Sequence, residues 1–108
     1  GMYSEFINLE TGIKLDSFSD PLSFIATSAR KYDVIITDYY FNSVTLDFFR
    51  PHIASDKVII LSSHETENLN YKCLGIYSKN SVHAIANIVT LINLIAETKT
   101  PHSFLSLV

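Results

Sequence analysis

The sequence contains no tryptophan, one cysteine, three glycines, three prolines and only eight lysines and arginines among its 108 residues. Each scarcity excludes something. A single thiol, Cys73, closes neither an internal disulfide nor a zinc cage, which fits a reducing compartment. Three glycines leave no Gly-rich loop of the kind that cradles nucleotide or flavin phosphates, so an enzyme built around such a cofactor is not expected. Eight scattered bases against eleven acids give a formal net charge of −3. Direct nucleic-acid binding needs a dense basic patch and is not expected either. No apolar run is long enough to cross a bilayer, and no signal-peptide pattern opens the chain. The expected location is therefore the cytoplasm, with no membrane partner.

What is present is a core. Hydrophobic residues make up 47% of the chain and include seven Phe and six Tyr, enough for one compact domain and too little for two. Residues 2–98 are expected to form that domain, with 99–108 as a C-terminal tail or linker stub. The apolar end of that stub, Phe104 to Val108, either docks back or belongs to a longer protein.

Two apolar runs, Asp33 to Asp38 and Lys57 to Ser62, are rich in β-branched residues and do not alternate. Such runs suit strands buried on both faces of a parallel sheet. Helical spacing surrounds them. Asp20 and Pro21 read as cap and first residue of a helix whose buried stripe is Leu22, Phe24, Ile25 and Ala29. Ser43 to Phe49 reads as a shorter helix stopped by Pro51. Ser81 caps a last helix carrying Ile85, Ile88, Val89, Ile92 and Ile95, to about Thr98. Leu74 to Ser78 reads as a short strand, and His64 to Cys73 as a loop or short helix. Phe6 to Leu9 and Ile13 to Asp16 flank Glu10-Thr11-Gly12 as a hairpin; the alternative is a helix followed by one strand. Strands alternating with helices predict an α/β fold: an open, mostly parallel sheet flanked by helices, with an irregular N-terminal piece.

In such sheets chemistry gathers at the carboxyl ends of the strands. Asp38, Ser62 and Lys79 close three successive predicted strands. Tyr32-Asp33-Val34-Ile35-Ile36-Thr37-Asp38-Tyr39, Val58-Ile59-Ile60-Leu61-Ser62-Ser63 and Gly75-Ile76-Tyr77-Ser78-Lys79 together resemble the third, fourth and fifth strands of the receiver domains of two-component response regulators. The resemblance, over roughly residues 13–97, implies the flavodoxin-like (CheY-like) fold. It implies Asp38 as phosphoacceptor for a histidine kinase, Lys79 pairing with the phosphoryl oxygens and the Ser62 hydroxyl bonding one of them. It also implies Mg²⁺ held by Asp38 and the backbone carbonyl of Tyr40, and movement of Ser62 as the switch.

The chain departs from the family pattern at defined places. No apolar strand ending in paired acids precedes Ile13; Glu5 is the candidate metal ligand if the N-terminal hairpin enters the sheet, with Asp16 and Asp20 as further acids. Phe41-Asn42 stands where the family has Met-Pro. Ile76 replaces the switching aromatic, and the stretch from Ser62 to Lys79 is short. His52, His64, His83 and His102 show no metal spacing. The reading that accommodates these departures is an atypical receiver-like signalling domain, not an enzyme, with weak or absent Mg²⁺ binding. It would act through protein–protein interaction, either homodimerisation or contact with another signalling protein. The alternative is a working phosphoacceptor receiver.

Overall fold

The computed structural model describes residues 2–18, 20–26, 31–98 and 103–108. It opens with helix α1 (Met2–Thr11), so the favoured hairpin and irregular N-terminal piece give way to the alternative, a helix followed by one strand. The reason lies in burial. Ser4 and Ile7 are buried, whereas Phe6 is 48% and Leu9 83% exposed, a three-residue period that suits a helix face. Gly12 ends the helix at φ 68°. Its N–H donates to the carbonyl of Asn8 at 2.9 Å, the single-bond left-handed cap that glycine favours.

Strand β1 (Leu15–Ser17) follows, then helix α2 (Pro21–Ala26). Asp20 caps α2 as expected, its Oδ1 accepting the N–H of Leu22 at 3.0 Å. Phe24 is fully buried and Ile25 half-buried, but Leu22 is 66% exposed and does not join the stripe. Ala29 lies outside the described residues. Strands β2 (Val34–Thr37) and β5 (Val58–Ser62) are the two apolar runs, every residue buried.

Between these strands the expected helix over 43–49 is absent. Strands β3 (Tyr40–Phe41) and β4 (Val44–Thr45) pair as an antiparallel hairpin, followed by a 3₁₀ segment, Leu46–His52, that contains Pro51. Aromatic and β-branched residues flank Asn42-Ser43, and that favours a two-residue hairpin turn over a helix start. Residues 63–74 form no helix or strand. Strand β6 (Gly75–Ser78) and helix α3 (Ala84–Thr98) match the expected pair. The Ser81 hydroxyl accepts the N–H of His83 at 3.3 Å ahead of α3.

Residues 104–106, expected to belong to a tail or linker stub, form strand β7 (Phe104–Ser106) inside the sheet. The sheet has five strands in the order β1-β7-β2-β5-β6, and every neighbouring pair is parallel. The last strand of the chain is thus clamped between β1 and β2. All three of its residues are buried.

Side chains alternate across the sheet and feed two cores. Val34, Ile36, Ile59, Leu61 and Phe104 face α1 and α3, meeting Ile7, Ala84, Ile88 and Ile92. Ile35, Val58, Ile60 and Leu105 face the other way, meeting Phe24, Leu46, Phe49 and Tyr71. Helices on both faces account for the absence of a polar face on β2 and β5. Burying one such aliphatic side chain contributes about 1.5–3 kcal/mol. No helix among the described residues is long and apolar enough to cross a membrane.

Candidate functional site

Because all five strands run the same way, their carboxyl ends share one edge. Asp38 follows β2, Ser62 ends β5, Lys79 follows β6 and Ser106 ends β7. The Lys79 Nζ lies 3.9 Å from Oδ2 of Asp38, and each side chain is 19% exposed. Solvent therefore screens this pair less than a surface pair, whose typical worth is about 0–1 kcal/mol. The other oxygen, Oδ1, accepts the backbone N–H groups of Tyr39 at 2.7 Å and Tyr40 at 3.2 Å. This Asx-type turn sends the chain sharply away from β2 into the hairpin. Both carboxylate oxygens are engaged.

Ser62 is fully buried. Its carbonyl accepts the backbone N–H of Lys79 at 2.8 Å, the last rung between β5 and the residue after β6. Its hydroxyl oxygen accepts the N–H of His64 at 3.2 Å. The structure thus joins Asp38 to Lys79 by side chains and Lys79 to Ser62 by backbone, with the Ser62 hydroxyl turned to its own loop.

The expected metal ligands are placed differently. Tyr40 sits in β3 opposite Thr45. Glu5 is exposed in the first turn of α1, and β7 rather than residues 6–9 lies between β1 and β2, so the hairpin route for Glu5 is removed. Asp16 accepts the phenol O–H of Tyr32 at 2.9 Å, and Asp20 caps α2. Among the described residues, no three His, Cys, Asp or Glu side chains gather as a metal-holding group. Asp38 brings a carboxylate to this edge with Oδ1 bonded to two backbone N–H groups and Oδ2 beside the Lys79 ammonium.

Three site residues escaped the sequence reading. The Lys79 ammonium lies 5.0 Å from the centroid of the Tyr3 ring. Ser4 and Ser106, both buried, share a short hydroxyl–hydroxyl hydrogen bond, and Ser4 also donates to the carbonyl of Val108 at 2.9 Å. Hydroxyls and an aromatic ring thus stand at the end of β7. The one available signal was Ser106, a lone polar residue inside an apolar run.

Tyr39 links the Asp38 turn to a second cluster. Its phenol donates to the Asp47 carboxylate, which also accepts from Arg50; the Arg50 guanidinium lies 4.6 Å over the Tyr71 ring. The bond to Tyr39, then that to Arg50, lowers the Asp47 pKa, while the bond to Asp47 and then burial raise that of Tyr39. Burial raises the Tyr71 phenol. Burial also raises the Cys73 thiol, which disfavours the thiolate a nucleophile needs. A cleft of about 600 Å³ borders the hairpin, lined by Tyr40 to Thr45 and His64; the Tyr40 and His64 rings meet there with centroids 4.9 Å apart.

In comparison with known proteins, no protein-family model matches this sequence, and no curated protein and no solved structure matches the chain.

Proposed function

We propose that the chain is an atypical receiver-like signalling domain that keeps the architecture and the aspartate–lysine pair but works by protein–protein interaction. The observation that carries this reading is the contact of Asp38 with Lys79 at 3.9 Å in a setting that offers no metal-holding group among the described residues. Strand order supports it: β1-β7-β2-β5-β6 becomes the flavodoxin-like order 2-1-3-4-5 when β7 is counted as the first strand. The domain would then be a receiver whose first strand is supplied by residues 104–106. In this reading Lys79 supplies the countercharge to Asp38, and Mg²⁺ has no structural role. The partner is another signalling protein, a histidine kinase included, or a second copy of the chain.

A second reading, a working phosphoacceptor, is favoured by the same ion pair, since an ammonium beside the carboxylate is what an acyl phosphate requires for charge neutralisation. One experiment separates the two. Acetyl phosphate and Mg²⁺ are added and the intact mass is measured, while light scattering reports association. The interaction reading expects an unchanged mass, with association that survives Asp38→Asn. An added phosphoryl group that Asp38→Asn abolishes would establish the second reading instead.

A further inference from the structure

The Lys79 ammonium has two neighbours, and only one of them was foreseeable. Asp38 holds the ammonium from the β2 side. The ammonium also lies over the ring of Tyr3, a residue of the first turn of α1, 5.0 Å from the ring centroid. Neither position is accidental to a loose side chain. Lys79 is tied through its N–H to the carbonyl of Ser62. Tyr3 is carried by a helix whose next residue, Ser4, is pinned to Ser106 and to the Val108 carbonyl, and whose Ile7 is fully buried. Tyr3 itself packs against the core shared by α1 and α3.

We propose that Tyr3 is a positioning residue that holds the Lys79 ammonium against Asp38, acting as a built-in aromatic lid that any incoming anion must displace. The chemistry is cation–π: the face of a phenol ring carries negative quadrupolar potential and attracts an ammonium within about 6 Å. The ammonium is thus shared between a carboxylate and a ring. An anionic ligand, whether a phosphoryl group or a partner's carboxylate, competes with both. This inference rests on the preceding reading that the Asp38–Lys79 edge is the functional site. It is nevertheless tested without phosphate, metal or partner, so either can fail alone.

The test is competitive amine labelling of the full chain with acetic anhydride, read by peptide mass spectrometry. Lys79 is compared with the internal references Lys14 and Lys57. In the native chain Lys79 should react more slowly than either. Tyr3→Leu keeps an apolar side chain but removes the π face, and should raise the relative Lys79 rate by about two- to five-fold, the scale of a partly exposed cation–π contact. Tyr3→Phe should restore the native ratio. A structural role alone would move Lys14 and Lys57 together with Lys79, and would not separate Phe from Leu. An unchanged Lys79 ratio in Tyr3→Leu, or an equal rise in both variants, overturns the proposal.

Discussion

Asp33 and Ser103 hold each other from both ends across the entrance to the sheet. The Asp33 carboxylate accepts the backbone N–H of Ser103 at 2.9 Å, while the Ser103 carbonyl accepts the backbone N–H of Asp33 at 2.8 Å. The Ser103 hydroxyl is taken up by the carbonyl of Lys31 at 2.6 Å. These bonds set β7 in parallel register with β2, Phe104 opposite Val34. Asp33→Ala leaves the half-buried backbone N–H of Ser103 without this acceptor and should cost about 1–3 kcal/mol. Urea unfolding would measure it, and faster amide exchange at residues 104–106 would localise the loss. An unchanged midpoint would contradict the role assigned to this clasp.

Removal of residues 99–108 provides the larger test of the same strand. It would open a gap between β1 and β2 and uncover Phe104's and Leu105's partners in both cores. The shortened chain should lose its cooperative unfolding transition, seen by circular dichroism during thermal denaturation. The milder Leu105→Ala should cost about 2–5 kcal/mol, as for other fully buried leucines. A truncated chain with native cooperativity would make β7 an ornament.

Tyr71 offers the opposite sign. Its hydroxyl is buried with no hydrogen-bond partner among the described residues, although its ring is covered by Arg50. Burying an unpaired hydroxyl is unfavourable. Tyr71→Phe should therefore stabilise the fold by up to about 1 kcal/mol, visible as a higher Tm. A destabilised variant would reveal a partner for that hydroxyl.

Acid should weaken the protein partly through Asp47. Its carboxyl is held below the ordinary value by the bond from Tyr39 and then that from Arg50. A group whose folded pKa is depressed stabilises the fold above its unfolded pKa and loses that contribution as pH falls through the folded value. The loss should begin near the ordinary Asp value of about 3.9 and continue below it. The effect is small, because the side chain is 42% exposed and solvent screens it. Urea midpoints followed downward from pH 6 should fall less steeply for Asp47→Asn than for the native chain. Parallel curves would show that Asp47 is not the group responsible.

Some of this was legible from particular residues. The β-branched runs 34–37 and 58–62 read as buried strands because nothing else in the chain is both that short and that continuously apolar. Asp20-Pro21 and Ser81 announced the two helices they precede. Tyr77 and Ile76 pack into opposite cores, as strand alternation requires. The hairpin at 40–45 was missed because Ser43 to Phe49 also satisfies a helical spacing, and only pairing with Tyr40 and Phe41 decides between them. Leu22 was expected inside, but propensity does not say which side of a short helix the sheet will cover.

By itself, then, the sequence determined the two central strands and the helices after Asp20 and Ser81, the two-sided burial of those strands and the placement of Asp38, Ser62 and Lys79 at strand ends. Those are properties of local spacing and composition. Tertiary structure alone decided that residues 104–106 are clamped beside Val34, that α1 carries Tyr3 onto Lys79, and that hydroxyls rather than carboxylates stand at the end of β7. These are contacts between segments up to about a hundred residues apart, as in Ser4 with Ser106. No periodicity within either segment specifies which strands will be neighbours.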